Sequence, residues 1–99
     1  MKIFDRIMKV RRAVYFRWEG GFYGSCYPTL SGTAIQISLD KHVNSDPVRT
    51  YAHECIHILF PTMSERNVRK VESYVWNNIT PKQRFLLAKK FYSRKWRTR

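Results

Sequence analysis

The chain has 99 residues, which is enough for one small domain with a core, and its 43% hydrophobic and 15% aromatic residues exclude a disordered chain. Its 19 basic and 7 acidic residues give a net charge of +12, which indicates acidic partners such as nucleic acid or an acidic protein. No apolar stretch is long enough to span a bilayer and the start of the chain is charged, so we expect a cytoplasmic protein with no membrane partner.

The first half of the chain predicts a helix followed by three strands. Apolar residues recur at helical spacing over residues 2–12, which indicates a short amphipathic helix. Runs rich in β-branched and aromatic residues follow at 13–18, 22–27 and 33–39, and the second run stops at Pro28. Breaks that contain glycine separate these runs and are typical of tight turns. The order therefore predicts a small three-stranded antiparallel sheet.

The next segment combines helix signals with a metal-binding motif. Residues 53–57 read His-Glu-Cys-Ile-His, which fits the pattern H-E-x-x-H. Asp46, followed by a proline, predicts the start of a helix, and Pro61 predicts its end. Because residues four apart share one face of a helix, both imidazoles can reach a single ion. Such histidine pairs also occur on helices that bind no metal. Here the apolar residues of the predicted helix lie on a different face from the two histidines, which favours zinc held by His53 and His57.

The glutamate of the motif has a different predicted role. Glu54 is offset by one position from His53, so its carboxylate lies near the ion without binding it. From there it can take a proton from a water bound to the zinc and hand it to the leaving amine. The pattern predicts hydrolysis of a protein or peptide substrate, with Zn²⁺ as cofactor and Glu54 as the catalytic residue. Candidates for stabilising the oxyanion are Tyr51, Tyr74 and His42, among which the sequence does not choose.

The second half of the chain continues as helices. Residues 65–78 carry apolar side chains at helical spacing, and Thr80 followed by Pro81 predicts the start of another helix. The chain closes on a basic tail at 93–99. No linker or internal repeat interrupts the sequence, so residues 1–99 are predicted to form a single domain.

The third zinc ligand is a choice between acids. A catalytic zinc usually has three protein ligands and one open position. No histidine or aspartate follows His57, so Glu65 and Glu72 are the downstream candidates. Side chains lean toward the N-terminus of their own helix, so in an antiparallel helix pair Glu72 leans toward the level of the metal and Glu65 leans away from it. Glu72 also lies among apolar residues, where an unpaired carboxylate would be costly to bury. We predict Glu72 as the ligand, with Glu65 and His42 as alternatives.

These motifs carry a resemblance. The order of helix, three-stranded sheet, H-E-x-x-H helix and a following helix with a metal-binding carboxylate resembles a minimal zincin metallopeptidase of the gluzincin type. Residues 32–38 are similar to the lead-in of SprT-like proteases, and residues 53–68 resemble small metallopeptidases of phage genomes. SprT-like proteins use a third histidine, whereas no histidine follows His57 here. The resemblance implies an α+β fold in which the strand at 33–39 borders the cleft and binds an extended peptide by strand addition.

The net charge supports an alternative function. Basic residues cluster at 9–12, 66–70 and 89–99, although a solvated helix face is the ordinary explanation of any one cluster. The alternative is a basic nucleic-acid-binding or virion-associated protein whose metal site is structural or vestigial. Both functions can coexist, because a basic surface could bring a protease to substrates bound to DNA.

Overall fold

A computed structural model describes residues 1–11, 14–17, 24–29, 32–38, 46–93 and 96–98. The helices are α1 (Lys2–Met8), α2 (Pro47–Leu59), α3 (Glu65–Asn78) and α4 (Pro81–Ser93). The strands are β1 (Val14–Arg17), β2 (Gly24–Thr29), β3 (Gly32–Ser38) and β4 (Trp96–Thr98). Across these ranges no helix combines the length and the apolar character needed to cross a membrane.

The predicted fold class, α+β with a three-stranded antiparallel sheet, is wrong. More of the described residues lie in helices than in strands, and the short strands form a mixed sheet in the order β2-β3-β1-β4. Only β2 and β3 pair antiparallel, while β1 runs parallel to both β3 and β4. The prediction failed because it paired strands in chain order. Parallel neighbours need a long crossover connection. The segment that contains β2 forms the connection from β1 to β3, and the segment that contains α2, α3 and α4 lies between β1 and β4.

The position of β3 also excludes the predicted strand addition. β3 pairs with β2 on one side and with β1 on the other, so it has no unpaired edge to offer a peptide. The two edges of the sheet are β2 and β4. Pro28, predicted to end the second strand, lies inside β2, where an edge strand tolerates proline. Gln36 and Ser38 of β3 are buried together with Ile35 and Ile37, so both faces of this central strand are covered.

The helix starts that the sequence predicts are confirmed. Asp46 caps α2, its carboxylate accepting a hydrogen bond from the Arg49 backbone N–H at 3.2 Å, and Pro47 is the first helical residue. Ser64 caps α3 in the same way, accepting from Asn67 N–H at 3.2 Å. These local hydrogen bonds set where each helix begins. The start of α3 in turn sets the position along the α2 axis at which Glu65, the first residue of α3, lies.

The core lies around α2, which packs against β2, β3 and the three other helices. Tyr51, Cys55 and Ile56 of α2 are fully buried, as are Leu87 and Phe91 of α4. The Tyr51 and Phe91 rings pack with centroids 5.1 Å apart. The Lys90 ammonium of α4 donates to the Tyr51 hydroxyl and to the Val10 carbonyl, each at 2.6 Å. These contacts join α4 to α2 and to Val10, which follows α1.

Truncating this core should destabilise the domain strongly. Leu87→Ala is expected to lower the free energy of unfolding by about 2–5 kcal/mol, because Leu87 is fully buried and its loss leaves a cavity. Urea denaturation followed by circular dichroism measures this. Leu86→Ala is the matched control. Leu86 is the neighbouring residue and is 38% exposed, so this substitution should lower the free energy of unfolding by roughly 0.5 kcal/mol or less. Equal losses in the two variants would contradict the described packing of α4.

Candidate metal centre

Two histidines of α2 point toward α3. His53 and His57 are four residues apart, so they lie on one face of the helix, one turn above the other. Their rings meet edge to face, and the two Nε2 atoms are 3.2 Å apart. Both side chains are partly buried, with 13% and 27% of their surface exposed. The predicted pair therefore does converge on one point, which solvent can reach.

The carboxylate that meets this pair belongs to Glu65. One oxygen lies 2.8 Å from the His53 Nε2 atom, and the other lies 2.7 Å from the His57 Nε2 atom. The connection between α2 and α3 is short, and Ser64 caps α3 immediately before Glu65. The first turn of α3 is therefore level with the histidines. Arg69, one turn further on, donates to Glu65 at 3.3 Å.

This geometry fits a metal ion. The donor atoms of His53, His57 and Glu65 all lie within 4.8 Å of one another. In a tetrahedral zinc site with bonds of about 2.0–2.2 Å, neighbouring ligand atoms are roughly 3.3 Å apart. The nitrogen–nitrogen distance of 3.2 Å agrees with this value. The carboxylate oxygens lie closer, at hydrogen-bonding distances of 2.8 and 2.7 Å from the ring nitrogens. The Glu65 side chain is half exposed, so it has room to move outward to the spacing of a zinc site.

Glu72, the predicted third ligand, lies on the other side of His53. One of its oxygens accepts a hydrogen bond from the His53 Nδ1 atom at 2.5 Å, so it contacts the back of the ring and not the metal-facing nitrogen. Its second oxygen accepts from Arg49 Nε at 2.6 Å. Arg49 also donates to the Ser73 hydroxyl at 3.3 Å. The structure thus brings Glu65 together with the histidines and places Glu72 between His53 and Arg49.

The surrounding charges shift the pKa values of these groups. The hydrogen bond from His53 to Glu72 raises the pKa of His53; burial opposes this rise, and the charges of Glu54 and Glu65 add to it. Burial favours a higher pKa for Glu72, but the hydrogen bonds from His53 and Arg49 outweigh it and lower that pKa. The pKa of Glu65 is also lowered, because neighbouring basic side chains outweigh the effect of burial. Both acids are therefore ionised at neutral pH, which is the form that attracts a cation.

The predicted catalytic residue is buried beside these donors. The Glu54 side chain is 6% exposed, and its charge is near enough to His53 to raise the pKa of that imidazole. Of the three oxyanion candidates, Tyr51 is fully buried and its hydroxyl contacts Lys90. Tyr74 is 56% exposed and lies about 200° around α3 from Glu72. His42, also an alternative metal ligand, lies outside the described residues.

Arg49 is the residue of this centre that the sequence analysis missed. It precedes His53 by four residues, so the spacing that joins His53 to His57 places Arg49 on the same face. Its guanidinium lies 6.0 Å from the centroid of the Trp76 ring and bridges two side chains of α3. A basic residue one turn before H-E-x-x-H is the signal that could have identified it.

Comparisons of the chain with protein-family models, with curated proteins and with solved structures give no match.

Proposed function

We propose that the chain is a zinc-dependent metallopeptidase in which His53, His57 and Glu65 hold the ion. The observation that carries the proposal is the convergence of two Nε2 atoms and a carboxylate from neighbouring helices. Two imidazoles and one carboxylate form a donor set of catalytic zinc sites, which leave the fourth position open. Harder cations such as Mg²⁺ and Ca²⁺ prefer sites built from oxygen alone, so the donor set favours a transition metal, and the H-E-x-x-H spacing favours zinc among these.

Glu72 and Arg49 would orient the first histidine. The carboxylate of Glu72 accepts from His53 Nδ1, which keeps a proton on that nitrogen and leaves the Nε2 lone pair for the ion. Arg49 holds Glu72 from the opposite side, so the carboxylate cannot rotate without losing an ion pair. We infer that this pair orients the His53 ring before metal binds.

Glu54 would be the proton carrier of the reaction. A bound zinc supplies a Lewis acid and lowers the pKa of the water beside it. The Glu54 carboxylate, buried beside His53, takes up a proton and later delivers it to the nitrogen of the leaving amine. A protein or peptide is the proposed substrate, because the nitrogen of a peptide bond must be protonated before it can leave, and Glu54 could supply that proton.

Metal binding is the direct test of the centre. The purified chain is expected to contain about one zinc per molecule, and zinc at 100 times its dissociation constant should stabilise the fold by about 2.7 kcal/mol. For a domain of this size that is a rise in Tm of roughly 10–20 °C, which a chelator should reverse. Elemental analysis and thermal melting measure the two quantities. His57→Ala should abolish the rise in Tm. If zinc leaves the Tm of the wild-type protein unchanged, the proposed metal centre is wrong.

A further inference from the structure

The helix α4 has two faces of different character. Leu87 and Phe91 are fully buried in the core that α4 shares with α2. Six exposed residues lie within an arc of about 120° on the opposite side and are here called the outer face of α4. They are Lys82, Phe85, Leu86, Lys89, Tyr92 and Ser93. The outer face is unusual because three of its six side chains are large and apolar.

The exposure of these apolar side chains is substantial. Phe85 is 66% exposed, the highest value among the large hydrophobic residues in the described part of the chain, and Tyr92 is 53% exposed. The Tyr92 ring contacts the buried Phe91 ring edge to face at 4.7 Å, which restrains its orientation. Packing inside the domain does not account for two rings so exposed, which is typical of a surface that binds a ligand.

The segment that contains the rings carries only positive charges. Residues 73–99 contain eight lysines and arginines and no aspartate or glutamate. On the outer face each ring follows a lysine by three residues, as Lys82 precedes Phe85 and Lys89 precedes Tyr92. Residues three apart are neighbours on a helix surface, so each aromatic position of the outer face has a lysine position next to it. The pattern repeats after seven residues, about 10 Å along the helix axis.

We propose that the outer face of α4 binds single-stranded nucleic acid. Its bases would stack on Phe85 and Tyr92, and its phosphates would contact Lys82 and Lys89, because every base has a π-face and every linkage carries a negative charge. Acidic protein segments offer charge but seldom flat rings at regular spacing. A second copy of the chain would be repelled by the like charge. An anionic membrane is disfavoured because Leu86, at 38% exposure, is the single aliphatic side chain of this face.

Binding of a fluorescently labelled oligo-dT, followed by anisotropy, tests the proposal. Wild-type protein should bind at low salt, and Phe85→Ala with Tyr92→Ala should weaken binding by roughly ten-fold or more per ring. Lys82→Gln with Lys89→Gln should reduce the slope of log affinity against log salt by about 1.4, the value for two phosphate contacts on a single strand. All four positions are exposed, so the fold should be kept, and a small fall in Tm is expected only where Tyr92→Ala removes the ring contact with Phe91.

A matched variant separates a specific face from general electrostatic attraction. Arg66→Gln with Lys70→Gln removes the same charge from exposed positions of α3 and should change the affinity by less than about two-fold. The proposal is overturned if oligo-dT does not bind at low salt, if removing both rings leaves binding intact, or if the α3 variant weakens binding as much as the α4 variants. It is equally overturned if anionic vesicles or an acidic peptide bind this face and the oligonucleotide does not.

Discussion

Glu54→Gln is expected to reduce kcat/KM for peptide cleavage by about 10²- to 10⁴-fold, the usual contribution of a positioned acid–base group. Glutamine keeps the size of the side chain but cannot accept and return a proton. Because Glu54 is buried and is not among the three converging donors, zinc should remain bound at the wild-type ratio. Cleavage of a quenched fluorescent peptide library and elemental analysis of the same samples measure the two effects.

The control for this experiment is a second exchange of acid for amide. Asp5→Asn on α1 removes the same charge from an exposed position, and we expect neither zinc content nor cleavage to change. A Glu54→Gln protein that keeps zinc and cleaves at the wild-type rate would remove Glu54 from the mechanism. Loss of zinc from this variant would instead assign Glu54 to the structure of the metal site.

The second large effect concerns the two carboxylates of α3. Glu65→Gln should weaken zinc binding by more than roughly 100-fold, because it removes a charged donor that lies against both Nε2 atoms. Glu72→Gln should weaken it by about 10- to 100-fold, the range for residues that orient a metal-binding histidine. Competition with a chromophoric chelator gives both affinities. The same substitution at two positions of one helix makes each variant the control of the other.

The visible spectrum of bound Co²⁺ distinguishes the two roles independently of affinity. If Glu65 binds the ion, Glu65→Gln should change the ligand-field bands, whereas Glu72→Gln should leave the number and type of donors unchanged. The reverse order of affinities, together with a changed spectrum for Glu72→Gln, would restore Glu72 as the third ligand. Equal, small effects of both substitutions would leave the histidines without a carboxylate partner and would contradict the proposed centre.

The helices and the histidine pair could be predicted because their signals are local. The cap at Asp46, the proline after it and the spacing of His53 and His57 all act within about one turn of helix. The bounds of α3, Glu65–Asn78, likewise agree with the prediction. Each of these features depends on residues within a few positions of one another, so a single sequence contains enough information to place them.

Strand pairing and the choice of carboxylate depend on distant contacts, and here the sequence was insufficient. β1 pairs with β3 and β4, which follow it by about 20 and 80 residues, and no local pattern specifies those neighbours. The choice between Glu65 and Glu72 depends on the height at which α3 starts and on the direction of two imidazole rings. Residues 60–64 and the packing of α2 against α3 decide both. Glu65 and Glu72 are seven residues apart, about two helical turns, so the position at which α3 starts determines which carboxylate is level with the Nε2 atoms and which faces Nδ1 of His53.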